Sequence, residues 1–379
     1  MRRIGVIGGG QLGRMFSLDA KRMGFHVIVL DPQEHSPCGQ VADEQIIAKY
    51  DDASAIEELG KTTDVVTYEF ENIAIGSVEY LERRGYTVHP SSKVLKITQD
   101  RLLEKKFVRD CGIAVPDFAP VERLDDFAKA AMQIGFPAIM KTARGGYDGK
   151  GQWRVNKSDD VKSAFAQAKG APLIYERMIG FTKELSVVAT RNRRDEVMTY
   201  PPSENIHDSG ILSMSIAPAR VPKEVARQAQ EMAATIGRKL AIVGTYCVEF
   251  FLNGKTLLMV NEIAPRPHNS GHYTMDATQC SQYEQHIRAI CDLPLSPPKM
   301  FSNAIMCNIL GAGTGDVLLG LEDLLSDPSI VLHLYGKHHA VDRRKMGHFT
   351  MLIDAPITDA HIAKAKAAHA KLSWGPLSP

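Results

Sequence analysis

The stretch MKTARGGYDGKGQW, Met140 to Trp153, sets Gly145, Gly146, Gly149 and Gly151 between Lys141 and Lys150. Four glycines exceed what a plain hairpin turn needs. Their successive amides can wrap a phosphate, and the two lysines add charge at either end. It is not a Walker loop, because Arg144 stands where that pattern needs its first glycine and Gly151 where it needs Ser or Thr. The NGKT at Asn253 to Thr256 fails likewise, with Glu249 in the first glycine's place. The expected element is a glycine-rich phosphate lid between two strands. Lys141, inside the otherwise apolar run FPAIMKT, reads either as an exposed strand residue or as a fixed cation aimed at a phosphate; its place just before the lid favours the second.

Upstream, MRRIGVIGGGQLGRM places Gly8, Gly10 and Gly13 at the dinucleotide-fingerprint spacing, and HVIVL ends at Asp31, where that fingerprint puts the acid that holds a ribose. A dehydrogenase is one reading. The other is a small doubly wound domain using the same turn for a different polar ligand. The runs IGVI, HVIVL, DVVTY and YTVHP alternate with amphipathic stretches, the first a helix from Leu12 to Met23, and predict a parallel sheet with crossover helices. A charged helix is expected at Gln99 to Asp110. FPAIMKT and PLIYERMI with a helix near Val161 to Ala168 predict a small α+β module, and ELSVVAT, EVMTYPP and TYCVEFF with a helix at Lys223 to Lys239 a larger antiparallel one. Asp359 to Leu372 reads as a surface helix.

The 379 residues exceed one hydrophobic core. With 45 basic and 44 acidic side chains the formal charge is +1, which provides no general field for nucleic acid or an anionic membrane. Cys38, Cys111, Cys247, Cys280, Cys291 and Cys307 form no CxxC pair and read as small buried hydrophobes in a reducing compartment. No apolar run reaches the roughly 18 residues of a membrane span, so a cytoplasmic protein is expected.

In VEFFLNGKTLLMVNEIAPRPHNSGHYT, Val248 to Thr274, Glu249 and Glu262 lie in two apolar runs joined by Asn253-Gly254. Neighbouring carboxylates in such company repel unless a cation sits between them, and oxygen ligands suit Mg²⁺ on ATP phosphates, with Asn261 able to add another oxygen. A two-residue turn would set Glu249 opposite Leu258 and leave Glu262 four residues along, roughly 13 Å away at about 3.4 Å per residue. The expectation is therefore a wider connection or a bulge that brings the two carboxylates side by side, within about 6 Å.

Taken in order, GGGQLGRM, YEFENI, GGYDGKGQ, ENIHDSGIL, VNEIAPRPHNSGHYT and RKMGH closely resemble the N5-carboxyaminoimidazole ribonucleotide synthase family of ATP-grasp enzymes, through nearly the whole chain. The resemblance implies an α/β and α+β, three-domain ATP-grasp architecture: a Rossmann-like parallel-sheet domain over 1–100, a small lid domain over 101–180 and a large domain over 181–379. It implies ATP-dependent carboxylation of 5-aminoimidazole ribonucleotide with bicarbonate, through carboxyphosphate, in purine synthesis. It places ATP at Arg101, Lys141, Gly146, Tyr147, Asp148, Gly149, Lys150, Gly151, Gln152, Glu176, Arg177, Met178, Ile179, Glu184, His207, Asn261 and Glu262. Metal ligation falls to Glu249 and Glu262, with Mg²⁺ or Mn²⁺ as the ion. The ribonucleotide falls to Gln11, Leu12, Glu71 and Asn269, and its phosphate to Lys337, Arg344 and Lys345. Tyr147 and Asp148 at the lid tip, with Arg266 and His268, are the implied catalytic side chains. In this reading the glycine turn brings backbone to the ribonucleotide, and Asp31 holds no nicotinamide cofactor. Where many relatives have Arg-Pro-Gly-Arg-Lys before the Gly-His pair, this chain has Val341-Asp342-Arg343-Arg344-Lys345. The resemblance also implies a homodimer. A non-catalytic ATP-binding module and a formate-using glycinamide ribonucleotide transformylase are the alternatives, beside the dehydrogenase.

Overall fold

The computed structural model describes residues 2–146, 151–312 and 315–376, so Tyr147, Asp148, Gly149 and Lys150 lie outside the described residues. Among the described residues three larger sheets, beside a two-stranded pairing of Val317–Leu319 with Ser373–Gly375, organise the chain. The first is parallel and runs in the order Glu44–Ile46, His26–Leu30, Arg3–Ile7, Val65–Tyr68. YTVHP, expected as its fourth strand, contributes only a parallel bridge from Val88 to Val66, because pairing stops at Pro90, which has no amide to donate. The short polar Glu44–Ile46 takes an edge instead.

The second sheet is antiparallel, in the order Phe118–Val121, Leu173–Arg177, Ala138–Thr142, Gln152–Val155. Ala130, Ile134, Val161 and Ala164 of its helices Asp126–Ile134 and Asp159–Gln167 close the core against Met140 and Tyr175. The third sheet has nine strands and runs from Leu257–Ala264 through Gly244–Asn253, Lys183–Arg191, Ser203–Asp208, Ile211–Ala217, Asn303–Leu310 and Lys345–Ile353 to Ile330–Leu334, with Val197–Thr199 also paired to Lys183–Arg191. EVMTYPP is thus cut after Thr199 by its two prolines.

The helix Lys223–Lys239 packs on this sheet. Its Val225, Ala229, Ala233 and Ile236 recur at three- and four-residue spacing, so one stripe meets Leu185, Val187, Tyr246 and Val248. Helix Gln282–Ile290 docks the first module: Tyr283, Ile287 and Ile290 pack against Met15, Phe16 and Val27. His286 pins the seam, with Thr67 Oγ1 2.8 Å from Nε2 and Thr245 N donating to Nδ1 at 2.9 Å. Five of the six cysteines are buried and Cys111 is partly so; all six are free. Among the described residues no helix is long and apolar enough to cross a membrane.

Candidate active site

A cleft of about 720 Å³ opens between the second and third sheets and reaches the first module. Its floor is set by the hairpin of Gly244–Asn253 and Leu257–Ala264. Asn253 pairs with Leu257, so Gly254 to Thr256 form the connection, and the register then shifts between Glu249 and Phe250. Asn261 is the extra residue of this bulge. Phe250 faces Val260 while Glu249 faces Glu262, so both the wider connection and the bulge occur, and the glutamates stand directly opposite each other. Burial first, then the charge of Glu262, raises the Glu249 carboxyl well above its usual range. Burial also pushes Glu262 up, but Arg101 Nη1 at 3.0 Å outweighs it and holds Glu262 low. The Asn261 Oδ1 is buried without a partner. Opposed carboxylates and an idle carbonyl oxygen are the donor set a hard divalent cation takes.

Cations stand above this floor. Asp100 caps helix Arg101–Asp110, accepting from Leu102 N at 3.0 Å and Leu103 N at 3.2 Å, and so aims Arg101 inward. Arg101 Nη2 also donates to Gly146 O at 3.0 Å, tying the start of the glycine-rich stretch to the floor. Lys141 is buried and pairs with Glu176 at 2.7 Å, while Lys105, 1% exposed, lies 3.4 Å from the same carboxylate and donates to Asn261 O at 2.9 Å. Burial opposes the charge of Glu176, yet the two lysines pull its carboxyl down to about 2. An ion cluster this buried is kept by mutual pairing, since removing one member strands the others.

The far wall carries His207 against Glu184, and His268 Nε2 3.1 Å from Glu249. Gln282 fixes the His268 backbone from both sides, accepting from its amide and donating to its carbonyl, each at 2.8 Å. Burial first and the Arg266 charge second hold His268 well below the usual histidine range, so it is neutral near pH 7. Arg266 is clamped by both oxygens of Glu71, with Nη2 to Oε1 at 3.0 Å. Asn269 keeps both side-chain polar atoms buried and unpartnered. At the first module's rim, Lys337 Nζ donates to Gln11 Oε1 and to Lys345 O.

Of the residues expected from sequence, Gln11, Leu12, Glu71, Arg101, Lys141, Gly146, Gln152, Glu176 to Ile179, Glu184, His207, Glu249, Asn261, Glu262, Arg266, His268, Asn269 and Lys345 line this one cleft. Gly151 turns beside Thr142 outside the lining, and Lys337 reaches it through Gln11. Arg344 is exposed and not part of it. The glycine amides of the turn are taken up within the chain. Gly10 and Gly13 donate their amides to Glu69, the latter at 2.7 Å, and Gly9 N donates to Asp31 Oδ2 at 2.7 Å. The close approach that needs glycine is to the chain's own carboxylates: a Cβ on Gly10 would overlap Glu69. The turn presents Gln11 and Leu12 to the cleft. Sequence reasoning missed Glu104 and Lys105, which look like surface charges in RLLEKKF, and the stacked pair Phe181 and Phe251, whose rings lie 4.8 Å apart on the cleft wall.

Three family models cover the chain: a ribonucleotide synthetase preATP-grasp domain at 1–99, an ATP-grasp domain at 106–283 and a phosphoribosylaminoimidazole carboxylase C-terminal domain at 304–357. The fold and cleft thus define an ATP-grasp ligase. The chain is 43% identical over 349 residues to the N5-carboxyaminoimidazole ribonucleotide synthase of Bacillus subtilis, covering 92% of this chain and 91% of that protein. It superposes on the N5-carboxyaminoimidazole ribonucleotide synthetase of Thermotoga maritima with TM-score 0.90 at 41% identity, over 99% of this chain and 100% of that one. The Aspergillus clavatus synthase, solved with ADP and 5-aminoimidazole ribonucleotide, matches with TM-score 0.90 at 33% identity over 98% and 99%. The chain belongs to the N5-carboxyaminoimidazole ribonucleotide synthase family.

Proposed function

We propose that this cleft carries out ATP-dependent carboxylation of 5-aminoimidazole ribonucleotide in purine synthesis, and that the residues lining it divide the work. The γ-phosphoryl group of ATP passes to bicarbonate, giving ADP and carboxyphosphate. Carboxyphosphate breaks to CO₂ and phosphate, and the 5-amino group bonds to the carbon with loss of a proton. The observation that carries the reading is the bulged register that sets Glu249 opposite Glu262 beneath Arg101 and Lys141.

Glu249 and Glu262, with the idle Asn261 oxygen, fit Mg²⁺, with Mn²⁺ as the alternative. When bound, the ion would offset negative charge on the phosphates of ATP. Lys141 binds an α- or β-phosphate from a rigid strand, and Glu176 holds it and Lys105 in place, so no reorganisation accompanies charge development. The backbone of Glu176 to Ile179 meets adenine, and Glu184, oriented by His207, accepts ribose hydroxyls. Arg266, held by Glu71, and neutral His268 steady bicarbonate and its anionic product. Gln11, Leu12 and Asn269 hold the ribonucleotide, and Lys337 and Lys345 its phosphate. Tyr147 and Asp148, which the family resemblance implies as catalytic, lie outside the described residues. The amine is a weak nucleophile and carboxyphosphate hydrolyses readily, so holding reactants together away from water is the main task. The protein acts as a cytoplasmic homodimer in this reading.

ADP release tests it. The rate should rise strongly with 5-aminoimidazole ribonucleotide and fall when bicarbonate is depleted. Stimulation by glycinamide ribonucleotide with formate instead would transfer the chain to the transformylase reaction.

A further inference from the structure

Away from the cleft, three side chains from three elements converge. Asp276 belongs to the short helix Thr274–Ala277, His333 to the strand Ile330–Leu334 and His348 to Lys345–Ile353. Antiparallel pairing puts His333 directly opposite His348, with rings stacked 4.7 Å apart. One donor atom from each of the three lies within 4.8 Å of the others. None of them lines the ATP cleft.

We propose that Asp276, His333 and His348 form a binding site for a first-row divalent transition metal of the Zn²⁺ class. The His333 Nε2 lies 3.0 and 3.1 Å from the two Asp276 oxygens. Ligands at about 2.0–2.1 Å around a tetrahedral ion stand roughly 3.4 Å apart, so the pair is close to the spacing of adjacent ligands. His348 is fully buried, its Nδ1 lies 2.8 Å from Tyr335 Oη, and its Nε2 has no hydrogen-bond partner. A buried imidazole nitrogen left idle is costly. The tautomer in which Nδ1–H donates to the Tyr335 hydroxyl leaves the Nε2 lone pair free, the arrangement by which outer partners orient metal-binding histidines. Burial first, then the neighbouring His272 and His333, keeps His348 neutral and so fit to ligate. Two imidazoles and a carboxylate favour Zn²⁺, Co²⁺ or Ni²⁺ over Mg²⁺. His333, whose side chain is 23% exposed, gives an ion its way in.

The site joins two modules. Asp276 lies in the segment matched by the ATP-grasp model, and both histidines lie in the C-terminal one. An ion here would tie the short helix Thr274–Ala277, six residues beyond His268, to the strand that begins at cleft residue Lys345.

The test uses the full chain without a histidine tag, stripped by a chelator and kept in excess Mg²⁺ so that the carboxylates of the cleft are occupied. Titration with Co²⁺ should give one equivalent with the visible band of an imidazole-ligated ion, displaced by Zn²⁺, and Zn²⁺ alone should raise Tm by a few degrees. Two variants, His333→Ala and Asp276→Asn, should lose the band and the Tm rise while keeping the wild-type circular dichroism; the amide of the second can still bond His333, which preserves folding. Retention of the band or the Tm rise in His333→Ala would overturn the site. So would a wild-type protein with neither, which would leave a plain His333–Asp276 hydrogen bond.

Discussion

Two regions of the molecule invite the same description, a glycine-bearing turn or hairpin with carboxylates beside it, and they behave in opposite ways. At the N-terminal turn the carboxylates are satisfied from within: Glu69 accepts from the Gly10 and Gly13 amides, and Asp31 accepts from Gly9 N at 2.7 Å and the Tyr50 hydroxyl at 2.6 Å. At the bulged hairpin, groups are left wanting. Glu249 and Glu262 face each other, and Asn261 and Asn269 hold buried polar atoms with no partner. A sequence fingerprint marks where backbone must come close to something; unpaired groups mark where the missing partner is a ligand.

Removing charge while keeping shape separates the two regions. Glu249→Gln and Glu262→Gln should each lower kcat/KM for ADP formation by about 10²–10³-fold, roughly 3–4 kcal/mol, since each removes a group aimed at developing charge. Folded stability without nucleotide should hold or rise in Glu249→Gln, because like-charge repulsion is relieved, and fall in Glu262→Gln, which leaves buried Arg101 without its carboxylate. A variant within a fewfold of wild type would remove these residues from the metal role.

Glu69→Ala should give the complementary result. Two amides at the start of helix Gln11–Arg22 lose their acceptor, which costs about 1–3 kcal/mol of stability by urea denaturation. Glu69→Gln keeps an acceptor oxygen and should lose less. Activity per folded molecule should fall far less than in Glu249→Gln. If Glu69→Gln abolished ribonucleotide stimulation while the fold held, the turn would have to be counted as part of the binding surface after all.

The same contrast explains what the sequence made legible. Periodicity sufficed for helix Lys223–Lys239, whose bounds agree with the reading, and for the parallel pairing around Arg3–Ile7. The hairpin register followed from a chemical demand, that two carboxylates share an ion, which a regular turn cannot meet. Three features stayed hidden for physical reasons. Glu69 gives no local signal, because its partners are 56 and 59 residues away. Lys105 sits in a charged helical run and is buried only because Glu176, from another strand, neutralises it. Arg344 belongs to a run that resembles a phosphate clamp, yet the tight turn before Lys345 leaves it exposed while Lys345 reaches the cleft.

The smallest expected effect is a pH slope. Burial first, and then Glu262, raises the folded pKa of Glu249, with His207 opposing. A raised carboxyl is protonated more readily in the folded than in the unfolded chain, so its contribution to stability is fully present below the ordinary glutamate value, about 4.3. That contribution is lost as pH rises from there through the folded pKa. Nucleotide-free protein should therefore lose stability across this window, and Mg·ADP should restore it, because ligation needs the deprotonated carboxylate. The dissociation constant of Mg·ADP should fall with rising pH by up to about tenfold per unit, one proton being released on binding, equivalent to about 1.4 kcal/mol. In Glu249→Gln the affinity should be weaker and this slope absent. Glu69, also raised by burial first, has its partners in the chain itself, so Glu69→Gln should leave the slope of Mg·ADP binding as it is in the wild type. A slope that survives in Glu249→Gln would mean that the titrating group is another carboxyl of the cleft, Glu104 being the one whose pKa is also raised, by burial and then by Glu262.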